Sequence, residues 1–136
     1  MCLNVDTNLH KDVYKPKIAK EDIVCYKALA MAYNSLTHIN YYSSPFYSTA
    51  PWEKGKTYEA VEIWPRCTPV VEDGYFHTFI FIDDAEHLKL DLSTRYEMVV
   101  AKCIIPEGSE YYVGVDNSNK PSYASKLLKI EEIILK

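Results

Sequence analysis

The chain of 136 residues has no glutamine, two arginines (Arg66 and Arg95) and four glycines, at positions 55, 74, 108 and 114. Glycines so scattered exclude a phosphate-cradling loop, which needs several within a few residues of one another. Cysteine is also sparse: Cys2, Cys25, Cys67 and Cys103 form no C-x-x-C, and no histidine stands at zinc-finger spacing from any pair. That argues against a structural zinc site and against a disulfide framework, so no metal is expected. The opening "MCLNVDTNLHKD" lacks a basic stretch followed by an apolar one, and no apolar run approaches the length of a membrane span. The expectation is a reduced cytoplasmic protein with no membrane partner. Excess positive charge is missing too. A net charge of −4 and a pI near 5.5 provide no global field to gather phosphate backbones, which argues against nucleic acid as the partner.

What is present is apolar and aromatic. Apolar residues make up 48% of the chain, which excludes a disordered class, and the length suits one domain with a core of its own. Twelve tyrosines stand out. An AT-rich genome explains them through codon usage; tyrosine is also the residue of adaptable binding surfaces.

Residues 1–20 are polar and broken by Pro16, and read as a loose arm. A domain over 21–136 follows. "EDIVCYKAL" (21–29) has the continuous apolar character of a buried strand, and Ala30 to Leu36 suits a short helical turn. Residues 40–51, rich in Tyr and Ser with two prolines, read as a long loop. "KTYEAVEIW" (56–64) alternates like a half-exposed strand, and "GYFHTFIFI" (74–82) is a β-branched and aromatic one. Asp83 or Asp84 can N-cap a short helix over "DAEHLKLDL". "RYEMVVAKCII" (95–105), "YYVGV" (111–115) and "YASKLLKIEEIIL" (123–135) close the chain as strands. Between the first two of these, "PEGSE" is a turn, which makes 99–114 a candidate hairpin. The fold class is α+β, mainly antiparallel strands with one or two short helices.

The run "GYFHTF…DDAEHLK…YEMVVAKCIIPEGSEYYVG…PSYASKLLKIEEI" resembles a layout found in small uncharacterised phage and gut-bacterial proteins. The likeness covers roughly residues 22–135, and "IPEGSEYYVG…YAS" is its most specific piece. More distantly the layout is similar to the second half of ADP-ribosyltransferase folds. By that likeness "VCYKAL" is the early strand, "FHTFIF" replaces the Ser-Thr-Ser strand, and "SYASKLL" stands where the catalytic glutamate belongs. Ser122, Ala124 or Ser125 then occupies the carboxylate position, and the oxocarbenium-like charge of a transferase reaction loses its electrostatic partner. The resemblance implies Tyr26 and His77 as the catalytic candidates, with NAD as the cofactor, if the chain is an enzyme.

His77 is read either as a general base or ligand-binding residue, or as a hydrogen-bonded, half-buried histidine; no carboxylate or thiol stands at triad spacing, which favours the second. His38 and His87 read as surface residues. Cys25 and Cys103 sit in apolar strands as small hydrophobes. Tyr41, Tyr42, Phe46, Tyr47 and Trp52 are too many aromatics to leave in water, so they either cover the core or bind a flat ligand. The expected function is non-catalytic binding of phage or mobile-element type, by a host-takeover or anti-defence protein. Its partner would be a host protein or a nucleotide-like small molecule, with self-association as part of that reading and no cofactor. The alternatives are an ADP-ribosyltransferase-like enzyme and an accessory structural protein of a virus particle.

Overall fold

The computed structural model describes residues 3–5, 16–36, 39–43, 54–59, 70–71, 76–94, 97–116 and 118–135. Along the chain these form β1 (Leu3–Val5), β2 (Lys17–Ile18), β3 (Ile23–Asn34), β4 (Ile39–Ser43), β5 (Thr57–Glu59), β6 (Val70–Val71) and β7 (Phe76–Phe79). Helix α1 (Ile82–Leu92) follows, then β8 (Met98–Ile105), β9 (Glu110–Val115), β10 (Pro121–Ser125) and β11 (Leu127–Leu135). The described residues are therefore largely β, with one helix, rather than a balanced α+β mixture. All the strands join one antiparallel sheet, in the order β5-β11-β8-β3-β7-β10-β9-β1-β6, with β2 beside β9 and β4 beside β3.

Its organising feature is a long ribbon bent at one corner. β8 pairs with β11, and β9 pairs with β10. The two ladders share their strands' continuity: β8 runs on into β9, and β10 into β11 across Lys126 alone. Residues 99–114 are thus not a hairpin, because β8 and β9 do not pair with each other. They form one side of a ribbon whose other side is 121–135, and the real hairpin turn is at 116–120. "PEGS" is a four-residue excursion opposite Lys126. On a flat ribbon β3, beside β8, and β7, beside β10, would flank opposite edges and never meet. They do meet, at Tyr26 and Phe79, so the ribbon folds over at the corner and the sheet curls around an inner face.

The corner is fixed by polar contacts that "GSE" provides. Lys126 N–H donates to the Glu110 carbonyl at 2.9 Å, and Leu127 N–H to Ser109 Oγ at 3.1 Å. Ala19 N–H donates to the Ser109 carbonyl at 2.9 Å, and Gly108 N–H to the Ala19 carbonyl at 2.8 Å. Gly108 has φ +88°, which a residue with a side chain rarely adopts. Asp22 accepts Glu107 N–H at 2.9 Å. At the far end of the ribbon the buried Asp116 carboxylate accepts Ser118 and Lys120 N–H groups at 2.9 and 2.8 Å, closing the turn through its own side chain.

The expected loose arm is corrected at its described residues. β1 adds to β9 and β6, β2 adds to β9, and Ala19 is buried in the corner. The helical turn expected at 30–36 is strand as far as Asn34, with Ser35 and Leu36 in a turn: β4 supplies β3 with a ladder from Ala30 onward. Helix α1 begins one residue before its expected cap. Phe81 is the N-cap and makes no side-chain cap bond, while Asp83 and Asp84 lie in the first turn, where the helix dipole favours them. Through Ile82, Ala85 and Leu88 the helix covers the outer face, over Tyr26, Phe79, Val100 and Ile134. The inner face holds Cys25, Leu29, Val99, Ala101, Cys103, Ile105, Leu128 and Ile130.

Two substitutions separate corner from core. Ile105→Ala, at a fully buried position, should cost about 2–5 kcal/mol. Ser109→Ala, which strips Leu127 N–H of its acceptor, should cost about 1–3 kcal/mol. Urea unfolding reads both, and a loss under about 1 kcal/mol for Ile105→Ala would mean that β8 does not face a packed core.

Candidate functional site

The inner face is not purely apolar. Register places Lys27 opposite Ala101, and the Tyr26–Phe79 pair sets Lys27 beside Thr78, which pairs with Tyr123. Ala101–Lys27–Thr78–Tyr123 is thus a row across β8, β3, β7 and β10, and the small Ala101 leaves room for the lysine stem. Cys25 and Cys103 are direct cross-strand partners one step along, and Ser125 lies diagonal to Thr78. Lysine, thiols and hydroxyls converge where the folded ribbon closes.

Lys27 is 8% exposed and donates from Nζ to the His77 carbonyl at 2.7 Å. That bond crosses from β3 to β7, where the ladder provides one residue pair. Burial pulls the Lys27 amine down to about 8, with the neighbouring Cys103 and Cys25 partly offsetting the fall. Burial pushes the Cys25 thiol up to about 12 and the Cys103 thiol well above its ordinary value. Both are therefore inert thiols at neutral pH. The Thr78 hydroxyl lies close enough to temper the rise at Cys25, but the contact lacks hydrogen-bond geometry. Thr78 Oγ1 and Ser125 Oγ are both buried without a hydrogen-bond partner.

Beside this interior lies an open groove of about 440 Å³, lined by Lys17, Ile18, Lys20, Glu21, Ile23 and Tyr111. Ile23 and Tyr111 pack against the core, so they form its floor. Tyr111 meets Tyr123 edge to face, with ring centroids 5.9 Å apart. Tyr123 has its phenol raised by burial, with Cys25 and Tyr111 adding to it. The groove thus combines an aromatic edge, an aliphatic floor and two ammonium groups against one carboxylate.

The residues expected to act fall elsewhere. Tyr26 packs beneath α1 on the outer face. His77 is buried on β7 opposite Ala124, and what it offers Lys27 is its backbone carbonyl. Ser122 spends its hydroxyl on the Lys120 carbonyl at 2.8 Å. Tyr41 and Tyr42 belong to β4, opposite Ala32 and Met31, rather than to a loop. Phe46, Tyr47 and Trp52 lie outside the described residues, as do His38, Cys2 and Cys67. His87 is exposed on α1, 3.8 Å from Asp91.

Sequence reasoning missed Lys27, because "EDIVCYKAL" reads as one continuous apolar run and the single lysine within it carries no pattern of its own. It missed the groove because Lys17 and Lys20 were assigned to the arm. The alternation in "KPKIAKED" was the available signal: Ile18 and Ala19 interrupt the charges where a short strand docks. Among the described residues no three His, Cys, Asp or Glu side chains converge on a metal position, and no helix is long and apolar enough to cross a membrane. No protein-family model, curated protein or solved structure matches the chain.

The buried amine and thiols make stability pH-dependent in opposite senses. Between about 8 and the ordinary lysine value of 10.5 the unfolded chain holds the Lys27 proton more tightly, so stability rises with pH. From 9.0 upward the unfolded chain loses thiol protons that the fold retains, so stability then falls. Denaturant midpoints should rise from pH 7 to 9 by the equivalent of about 1 kcal/mol and turn over above that. In Lys27→Met the rising limb should vanish and the falling limb remain; an unchanged rise in that variant would remove Lys27 as its source.

Proposed function

We propose that the protein is a non-catalytic binding protein whose ligand is a small, flat, anionic molecule of nucleotide-like chemistry. The observation that carries this reading is the groove of about 440 Å³ in which Tyr111 and Ile23 meet Lys17 and Lys20. Its volume falls in the range of small-molecule sites. An aromatic ring can lie against Tyr111 and Ile23 while phosphate oxygens reach the two ammonium groups, and Glu21 can accept a ring or ribose hydrogen bond. The proposed setting is a cytoplasmic host-takeover or anti-defence role of phage or mobile-element type, in which a nucleotide-like molecule is sequestered. The "IPEGSEYYVG…YAS" likeness supports that setting. The absence of a carboxylate from positions 122–125 supports binding over turnover, as does the packing of Tyr26 beneath α1.

Calorimetric titration of the full chain with ADP and with ADP-ribose tests the reading. Saturable binding is expected, weakened at least about tenfold by Lys17→Glu, a loss of about 1.4 kcal/mol, with melting unchanged. Absence of binding to either compound, or equal binding by Lys17→Glu, would contradict it. Consumption of NAD that is lost in His77→Ala would replace it with the enzyme reading.

A further inference from the structure

We infer that Asp22, which is not among the residues lining the groove, is the residue that positions it; this rests on the groove being the ligand site. Apart from Tyr111, every residue lining the groove lies in 17–23, and that segment runs antiparallel along the corner. Lys17 and Ile18 pair with Tyr111 and Glu110, and Ala19 N–H donates to the Ser109 carbonyl. Gly108 N–H returns a bond to the Ala19 carbonyl, and Ile23 pairs with Ile105. Between Ala19 and Ile23 the backbone bends at Lys20 and Glu21, both exposed. These two residues supply one ammonium and the carboxylate of the groove.

A side chain fastens the far side of this bend. Ser109 N–H donates to the Pro106 carbonyl at 3.0 Å, closing a β-turn whose third residue, Gly108, has positive φ. The turn bond uses the N–H of the fourth residue and leaves that of the second, Glu107, for another acceptor. Asp22 Oδ1 takes it at 2.9 Å, and an ionised carboxylate makes such a bond a strong one. Lys20 and Glu21 are thus fastened at Ala19 on one side and at Asp22 on the other. A ligand meets them already placed and does not have to order the bend on binding. The charge of Asp22 works the other way, because a carboxylate beside the groove repels an anionic ligand. Bond and charge therefore act on affinity with opposite signs, and substitution separates them.

Calorimetric titration of the full chain with ADP and with ADP-ribose at fixed ionic strength tests this, with Asp22→Asn and Asp22→Ala beside wild type. Asp22→Asn keeps an acceptor and loses the charge. It should bind as tightly as wild type or up to about twofold tighter, the size of one solvent-screened repulsion. Asp22→Ala loses both and should bind about fivefold more weakly, the loosened bend outweighing the lost repulsion. Melting should move by no more than about 3 °C in either variant, because the bond is exposed. Binding by Asp22→Ala as tight as by Asp22→Asn would leave Asp22 acting through charge alone and overturn the inference, while the groove reading stands. Binding by Asp22→Asn as weak as by Asp22→Ala would overturn it too, by making the charge itself the requirement. If wild type binds neither compound, the groove reading fails and the inference falls with it.

Discussion

The bond from Leu127 N–H to Ser109 Oγ, with the neighbouring Lys126 to Glu110 bond, holds the corner at which the ribbon folds over. A ribbon can bend there because four residues on one side oppose a single residue on the other, which is how an extra-residue bulge turns a strand. Everything inside follows from the fold-over. β3 and β7 flank opposite edges of the ribbon, and their contact exists only because its halves have come together. Ala19, within the segment that composition assigns to a loose arm, is held by the same corner through its bonds to Gly108 and Ser109.

The closure carries a cost that a wholly apolar core would avoid. Removing an ammonium from water is unfavourable, and Lys27 answers with a lowered affinity for its proton. The structure shows what the lysine does in return. β3 and β7 share one residue pair, and the Lys27–His77 bond adds a cross-strand link where regular backbone bonds run out. The polar cluster thus sits at the weakest seam of the sheet. That is where a fold can exchange some stability for a chemically distinct interior, and both the buried row and the groove adjoin the corner and its closure.

Much of this architecture was legible in the chain. The β-branched runs of β8 and β11, the aromatic run of β7 and the short amphipathic helix follow from local chemistry, and their boundaries differ by a few residues. Pairing was not legible. "PEGS" has the composition of a hairpin turn, and nothing local distinguishes a turn from a corner; the difference lies in Lys126, twenty residues away, which closes a different ladder. Likewise "VCYKAL" has the continuous apolar character of a buried strand, yet what each of its faces meets depends on the helix that covers Tyr26 and the ribbon that covers Lys27. The aromatic surface of Tyr41 and Tyr42 was judged from composition, and a strand partner, β4 on β3, decides their placement.

Amide hydrogen exchange tests the folded corner most directly, because it reads each of its bonds separately. If the corner holds the sheet closed, the Leu127, Lys126, Gly108 and Ala19 N–H groups exchange as slowly as the amides of the central β3–β8 ladder, through opening of the whole fold. Exchange at those four positions at loop rates, while the β3–β8 ladder stays protected, would show that the corner does not hold the sheet closed.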